Sequence, residues 1–222
     1  QRPSSLTTSG TSSMNSPRVN QGEWFTNNPE LNNVPNADIQ YIPDFFSKEK
    51  SDQMLKSLIK NINWRQNTIQ FYGKRSLVPR LEAWYGDVGK SYSYSGIQMD
   101  PTPWSEELIE IKQAIETQTE SPFNSVLINY YRDGKDRVAW HSDDENELGR
   151  NPVIGSISFG AERKFKLRHK EYKKNGCRIE IKLEHGSFLL MKGETQHHWV
   201  HEIPRTALAI GPRVNLTYRF IK

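Results

Sequence analysis

The sequence predicts an α+β fold, with helices in the first half and a jelly-roll-like core of many short strands in the second. Two observations support this. Apolar residues recur at helical spacing in two stretches before residue 120, whereas from about residue 123 short runs alternate apolar and polar: SVLINYY, VAWHSD, VIGSISF, RKFKLR, CRIEIKL, GSFLLMK, HHWVHEI and RVNLTYRF. Helices first and strands afterwards is the order of segregated layers, and many short strands build a sandwich or barrel. No internal repeat is visible.

Residues 1–23 are rich in Ser, Thr, Asn and Gly with almost no large apolar side chain, so they read as a disordered tail. Folding is expected to begin around Trp24 and Phe25, and by the apolar stretch of Ile39, Tyr41, Ile42, Phe45 and Phe46. Ser47 then caps a helix over about 48–62, whose stripe is Met54, Leu55, Leu58, Ile59 and Ile62. After the breakers Pro101 and Pro103, Ser105 caps a second helix over about 105–119 with Leu108, Ile111 and Ile115 buried. Both stripes are core. The chain thus divides into a tail (1–23), an N-terminal extension (24–122) and a β-rich core (123–222).

With 222 residues and 35% hydrophobic content the chain can bury one ordinary core. A single cysteine, Cys177, excludes an internal disulfide framework and Cys-rich zinc sites, and reads as an inert thiol in a reducing compartment. No apolar run is long enough to span a bilayer and the N-terminus lacks a secretory apolar core, so a protein inside the cell with no membrane partner is expected. That means the nucleus in a eukaryote or the cytoplasm in a bacterium; oligomeric state is not readable from the residues, and a monomer is the expectation. The chain starts at Gln1 rather than Met, so a targeting segment can lie upstream. Lys and Arg number 30 against 26 Asp and Glu, a mild excess that only hints at a polyanionic partner.

Chemistry concentrates in WHSDDE, where His141 and Asp143 are two residues apart. Alternate residues of a strand share a face, so both ligands would point to one place. A facial iron(II) site needs two imidazoles and one carboxylate on one side, with the remaining positions free for co-substrate and oxygen. Alone the pair is weak, since a histidine on a half-buried strand is more often a hydrogen-bonded core residue, and two histidines with an aspartate also suit zinc, manganese or cobalt. The second histidine comes from His169, His185, His197, His198 or His201. His169 lies in a Lys/Arg-rich run that reads as solvent-facing, and His185 precedes Gly186 at a turn. His201 would share a strand face with Trp199.

RVNLTYRF alternates without a break, placing Arg213, Asn215, Thr217 and Arg219 on one face and Val214, Leu216, Tyr218 and Phe220 on the other. An amphipathic surface strand would look the same. Two arginines bracketing an amide and a hydroxyl also make a clamp for a small dicarboxylate, because guanidinium binds carboxylates bidentately. Upstream, Asn129 and Tyr131 share a strand face and add an amide and a phenol to a polar pocket.

In that order, an Asn-x-Tyr pair, a His-x-Asp pair, a distal histidine and an Arg/Asn/Thr/Arg strand, the chain resembles the AlkB nucleic-acid demethylases among the iron(II) and 2-oxoglutarate dioxygenases. The likeness runs from about Ile39 to Ile221 and is strongest in PRLEAWYGD, SYSYSGIQM, FNSVLINYYRDGKDRVAWHSDDE, ISFGAERKF and PRVNLTYRF. It is closest to members acting on methylated DNA bases. The resemblance implies a double-stranded β-helix core with a nucleotide-recognition lid, His141, Asp143 and His201 as ligands of Fe(II), and Arg213 and Arg219 on the far carboxylate of 2-oxoglutarate. Asn129, Tyr131, Asn215 and Thr217 would line that pocket. The implied reaction uses O2 and releases succinate, CO2 and formaldehyde, restoring the base.

For the substrate, Glu145 falls on the face of His141 and Asp143 if the strand continues, where a carboxylate would attract 1-methyladenine or 3-methylcytosine, both cationic. Its bland alternative is a solvated acid at a strand end, and Asp144 would point the other way. Chemistry on a base requires flipping it between flat or apolar groups. Tyr94 fits the position at which related demethylases stack an aromatic on that base, with Tyr92 on the same face or simply core. Related duplex-acting enzymes fill the vacated gap with a hairpin, for which Phe71, Tyr72, Gly73 and Lys74 are candidates. Lys60, Arg65, Lys74, Arg75 and Arg80 surround that hairpin without one acid, and residues 162–182 hold nine Lys/Arg against three Glu. Either run could bind phosphates or be simply solvated. Nothing reads a 2′-hydroxyl clearly, so DNA leads and RNA stays open, as do a catalytically silent nucleic-acid-binding relative and a protein hydroxylase.

Overall fold

A computed structural model describes residue 31 and residues 34–71, 74–90, 92–94 and 97–222, with the side chains of 70–74 and 92–99 outside the description. The tail, Trp24, Phe25, Tyr72 and Gly73 therefore lie outside the described residues, as do the side chains of Phe71, Lys74, Tyr92 and Tyr94.

In chain order the elements are β1 (Asp38–Ile42), α1 (Lys48–Asn61), β2 (Thr68–Phe71), β3 (Lys74–Leu77), β4 (Leu81–Gly86), β5 (Tyr92–Tyr94), β6 (Ile97–Met99), α2 (Glu106–Thr119), β7 (Ser125–Tyr131) and β8 (Val138–His141). There follow β9 (Ile154–Gly160), β10 (Arg163–His169), α3 (Tyr172–Asn175), β11 (Arg178–Leu183), β12 (Ser187–Lys192), α4 (Thr195–His198), β13 (Trp199–Ile203) and β14 (Arg213–Arg219). Both long helices start where their caps place them. Ser47 Oγ accepts from Lys50 N at 3.2 Å and Ser105 Oγ from Leu108 N at 3.4 Å, each satisfying an amide the helix cannot.

From β7 onward the chain passes back and forth between two antiparallel sheets. The larger has the order β1-β12-β9-β14-β7-β4 and the smaller β11-β10-β13-β8, while β2-β3 and β5-β6 are separate two-stranded ribbons. β1 and β4, from the segment read as an N-terminal extension, thus form both edges of the larger sheet, so extension and core share it.

Three layers result. Met54 and Leu58 of α1 and Leu108, Ile111 and Ile115 of α2 pack on Ile128, Ile157, Val214, Leu216 and Tyr218 of the larger sheet. Between the sheets, Ile39, Ile154, Leu189 and Met191 meet Phe165, Leu167, Ile181 and Trp199. Each such side chain, fully buried, contributes about 1.5–3 kcal/mol. β14 lies between these cores and is buried on both faces: Val214, Leu216 and Tyr218 face the helices, and Arg213, Asn215, Thr217 and Arg219 are 1–7% exposed. The surface-strand reading is corrected, and Phe220, past the strand end, is exposed. Among the described residues no helix is long and apolar enough to cross a membrane.

Candidate metal centre

β8 and β13 are antiparallel neighbours whose register sets His141 directly opposite His201. Their ring centroids are 4.3 Å apart. Cross-strand neighbours on one face are close enough to share a ligand. The carboxylate arrives differently from the sequence expectation: β8 ends at His141, and Asp143 stands on the non-helical segment beyond it. What sets Asp143 is Gln196 of α4, 1% exposed, whose Oε1 accepts from Asp143 N at 2.9 Å. Asp143 Oδ1 and Oδ2 then lie 3.8 Å from His141 Nε2 and His201 Nε2 respectively. The candidate ligand atoms of these residues all fall within 4.8 Å of one another, so the cluster could hold a metal ion.

The protonation states suit that use. Burial, then the charge of neighbouring His141, pulls His201 down to about 3, and burial lowers His141 as well, so both imidazoles are neutral. Burial opposes ionisation of Asp143, but the Arg219 charge and, at the low pH where they protonate, the two histidines outweigh it and hold the carboxyl at about 2. His141 Nδ1 lies 2.8 Å from Ala139 O, which favours the tautomer carrying hydrogen there and leaves Nε2 as ligand. Two neutral nitrogens and one anionic oxygen form a hard, compact donor set compatible with a divalent iron.

The cluster opens into a cavity lined by the polar Asn129, Tyr131, Arg213, Asn215, Thr217 and Arg219 and by the apolar Val138, Phe165, Leu183, Leu189, Met191 and Ile203. All nine residues assigned from sequence to metal and co-substrate therefore meet in one place. Their partners differ from expectation at one point. Arg219 Nη2 donates to Asp143 Oδ1 at 2.8 Å. Six residue steps at ~3.3 Å rise put the Cα atoms of Arg213 and Arg219 about 20 Å apart. In this structure Arg219 is thus engaged by the Asp143 carboxylate at the cluster, while Arg213 stands at the other end of β14.

At that far end Arg213 Nη2 donates to Ser158 Oγ at 2.9 Å, while its buried Nε and Nη1 find no hydrogen-bond partner among the described residues. Burial pushes this guanidinium down to about 10, with Tyr131 acting against the shift. Buried donors left open are costly, and a ligand carboxylate offers the acceptors they lack. Asn215 and Thr217 are tied into the wall: Asn215 Nδ2 donates to Ser156 Oγ at 2.8 Å and to Ile157 O at 2.9 Å, and Thr217 Oγ1 donates to Asn215 Oδ1 at 3.2 Å. Ser156 and Ser158 were missed in the sequence, although their alternation with Ile157 and Phe159 in GSISF is the same signal that exposed Asn215. Gln196 gave no signal there, since a buried glutamine in a four-residue helix has no periodicity.

The substrate candidates fare unevenly. Arg80 does not reach outward: it is 5% exposed, ion-paired with Glu82, and donates from Nε to Asn129 Oδ1 at 2.7 Å, so it belongs to the cavity wall. Lys60, Arg65 and Arg75 are exposed. Glu145 does not share a strand with His141, because β8 has ended and Glu145 begins a single 3-10 turn. Its Oε2 is nonetheless buried. Asp144 is exposed, 3.5 Å from Lys170 Nζ. The basic run 162–182 is laced with ion pairs, Lys164–Glu180, Lys182–Glu162 and Lys174–Glu171, and Arg163 within it is buried. His169, expected in solvent, is 6% exposed, and its Nδ1 accepts from Glu171 N at 3.1 Å.

A family model described as "2OG-Fe(II) oxygenase superfamily" matches residues 38–219. The chain is 44% identical over 190 residues to alpha-ketoglutarate-dependent dioxygenase alkB homolog 3 of Mus musculus, covering 81% of this chain and 64% of that protein. It is 40% identical over 184 residues to DNA oxidative demethylase ALKBH2 of Homo sapiens, covering 79% and 70%. It thus spans somewhat under two thirds of the length of the alkB homolog 3 relatives. Among solved structures, OsALKBH1 superposes with a TM-score of 0.60 at 16% identity, covering 84% of this chain and 98% of that one. A prolyl hydroxylase from Trichoplax adhaerens gives 0.56 at 15%, covering 82% and 83%. At these identities the structural likeness speaks for the fold, a jelly-roll core.

Proposed function

The chain belongs to the AlkB family within the 2OG-Fe(II) oxygenase superfamily, and from that premise we propose that it is an oxidative demethylase repairing 1-methyladenine and 3-methylcytosine in DNA. The observation that carries the reading is a single cavity joining a two-histidine, one-carboxylate cluster to a buried arginine with open donors. Relatives of 40% identity named DNA oxidative demethylase support the substrate class. In total, one N-methyl group, O2 and 2-oxoglutarate give the free base, formaldehyde, succinate and CO2.

His141, Asp143 and His201 would hold iron(II), and Arg213 with Tyr131 and Asn129 would take the far carboxylate of 2-oxoglutarate. When bound, the metal supplies the oxygen chemistry that decarboxylates the co-substrate and oxidises the methyl carbon. The chain supplies position and charge. Arg219 keeps Asp143 anionic and fixed, the Asn215–Thr217–Ser156 network holds the wall between the two ends, and the apolar part of the lining limits water. At the substrate mouth we assign Tyr94 to stack on the flipped base with Tyr92 beside it, and Glu145, seconded by Asp144, to favour a cationic base. Tyr72, Gly73 and Lys74, the hairpin candidates of the sequence, would fill the gap left in a duplex. A monomer acting where DNA is, the nucleus of a eukaryote or the cytoplasm of a bacterium, completes the reading.

The test is a panel of oligonucleotides methylated at adenine N1 or cytosine N3, as single-stranded DNA, duplex DNA and RNA, followed by mass spectrometry. Loss of one methyl from DNA, requiring both iron(II) and 2-oxoglutarate, is expected. Loss confined to RNA would move the assignment to RNA, and no loss while succinate still accumulates would overturn the nucleic-acid reading.

A further inference from the structure

Arg163 opens β10 and is 3% exposed, yet it does not line the cavity. Its guanidinium donates from Nη1 to Asp133 O at 3.4 Å and from Nη2 to Asp136 O at 2.9 Å and Pro204 O at 2.5 Å. Asp133 and Asp136 lie in the loop from β7 to β8, which runs from Asn129 and Tyr131 to His141. Pro204 lies in the loop from β13 to β14, which runs from His201 to Arg213. These loops also touch directly: Thr206 N donates to Gly134 O at 2.7 Å, and a Cβ on Gly134 would fall 2.7 Å from Thr206 O. One buried side chain therefore ties together the two connections that each join a metal-ligand strand to a strand of the far-carboxylate pocket.

The electrostatics point the same way. Arg163 Cζ is 5.5 Å and Arg213 Cζ 5.0 Å from the centroid of the same Tyr131 ring. Neutral carbonyls take the Arg163 hydrogen bonds, and Asp136, whose carbonyl is among them, turns its carboxylate to Arg132 at 2.8 Å. Two desolvated cations around one phenol, with no carboxylate directly on either among the described residues, are costly as they stand and become favourable when an anion enters beside them.

We propose that Arg163 is a positioning residue for the distal carboxylate of 2-oxoglutarate, fixing Tyr131 and Arg213 where they meet it and adding its own charge to theirs. It acts through those residues and through the loops, and it rests on the reading that Arg213 takes that carboxylate.

The test compares two probes by calorimetry on the full chain loaded with Mn(II): 2-oxoglutarate, and oxalate, which like the keto-acid end of 2-oxoglutarate offers a two-oxygen chelate but has no distal carboxylate. Arg163→Met is expected to weaken 2-oxoglutarate on the order of 10–100-fold, the usual effect of removing a supporting partner from a ligand-binding group. Oxalate and Mn(II) affinities should stay within about threefold of the wild type, less than 1 kcal/mol. Arg163→Lys, which keeps the charge and loses the three-way hydrogen bonding, should recover part of the 2-oxoglutarate affinity. If Arg163→Met does not fold, Arg163→Lys carries the comparison, and must still lose more 2-oxoglutarate affinity than oxalate affinity. Equal weakening of both probes would make Arg163 a loop staple and overturn the proposal, as would no change in either. A wild-type protein that binds oxalate and Mn(II) but no 2-oxoglutarate would overturn the co-substrate reading together with this one.

Discussion

Arg213 and Arg219 share one face of one strand, yet the partners across from them give them separate tasks. Arg219 meets Asp143, delivered by the loop after β8, whereas Arg213 meets Ser158 and the Tyr131 ring. Alternation in the sequence reveals that the two point the same way; it cannot reveal what stands opposite, because that is set by pairing between distant strands. Gln196 shows the same limit from the other side. It holds the Asp143 amide and has no sequence signature. Gln196→Leu is therefore expected to lower Mn(II) affinity roughly 10–100-fold, as loss of a supporting partner does, while the fold is retained. Titration calorimetry checks this, and an unchanged affinity would mean that the loop sets Asp143 unaided. His141→Ala, which removes a ligand outright, should abolish succinate formation on every oligonucleotide.

At the scale of elements, the helices were the most legible part. Ser47 and Ser105 cap where a side-chain acceptor precedes an apolar stripe, and those stripes are the buried faces of α1 and α2. Ile111 of α2 is fully buried, so Ile111→Ala should cost about 2–5 kcal/mol in urea unfolding, the range for truncating a closely packed side chain. Less legible was the larger sheet's edge, because β1 pairs Asp38 with Lys192, far beyond any local pattern. The β7–β8 loop offers a pH-dependent handle. Burial opposes the charge of Asp136, but hydrogen bonds from the Arg132 side chain and backbone hold its carboxyl below the ordinary 3.8. A depressed folded-state value means stability that is present above the unfolded value and lost as pH falls through the folded one. Asp136→Asn should accordingly destabilise the protein at neutral pH and flatten the acid limb of its stability curve below about pH 4. Parallel curves for the two proteins across that range would contradict the pairing.

At the scale of the whole molecule, helices brace the larger sheet from outside and the smaller sheet closes over its inner face, so one strand, β14, carries core on one side and chemistry on the other. The sequence made both faces of β14 readable, but not that both were buried, since a polar stripe looks alike in water and in a cavity. The ribbons β2-β3 and β5-β6 stand apart from both sheets and carry the residues proposed to meet the nucleic acid. If the segment between β2 and β3 fills a duplex gap, Tyr72→Ala should slow duplex substrates at least about tenfold more than single strands, a difference near 1.4 kcal/mol. Equal slowing of both would remove the wedge. The central claim is that the cavity couples co-substrate turnover to removal of a methyl group from a DNA base. Its most direct measurement is the ratio of formaldehyde to succinate released from a 1-methyladenine oligonucleotide with iron(II) and 2-oxoglutarate. One formaldehyde per succinate, with the unmethylated base recovered, is the expected result; succinate formed at the same rate with or without the methyl group, and no formaldehyde, would contradict it.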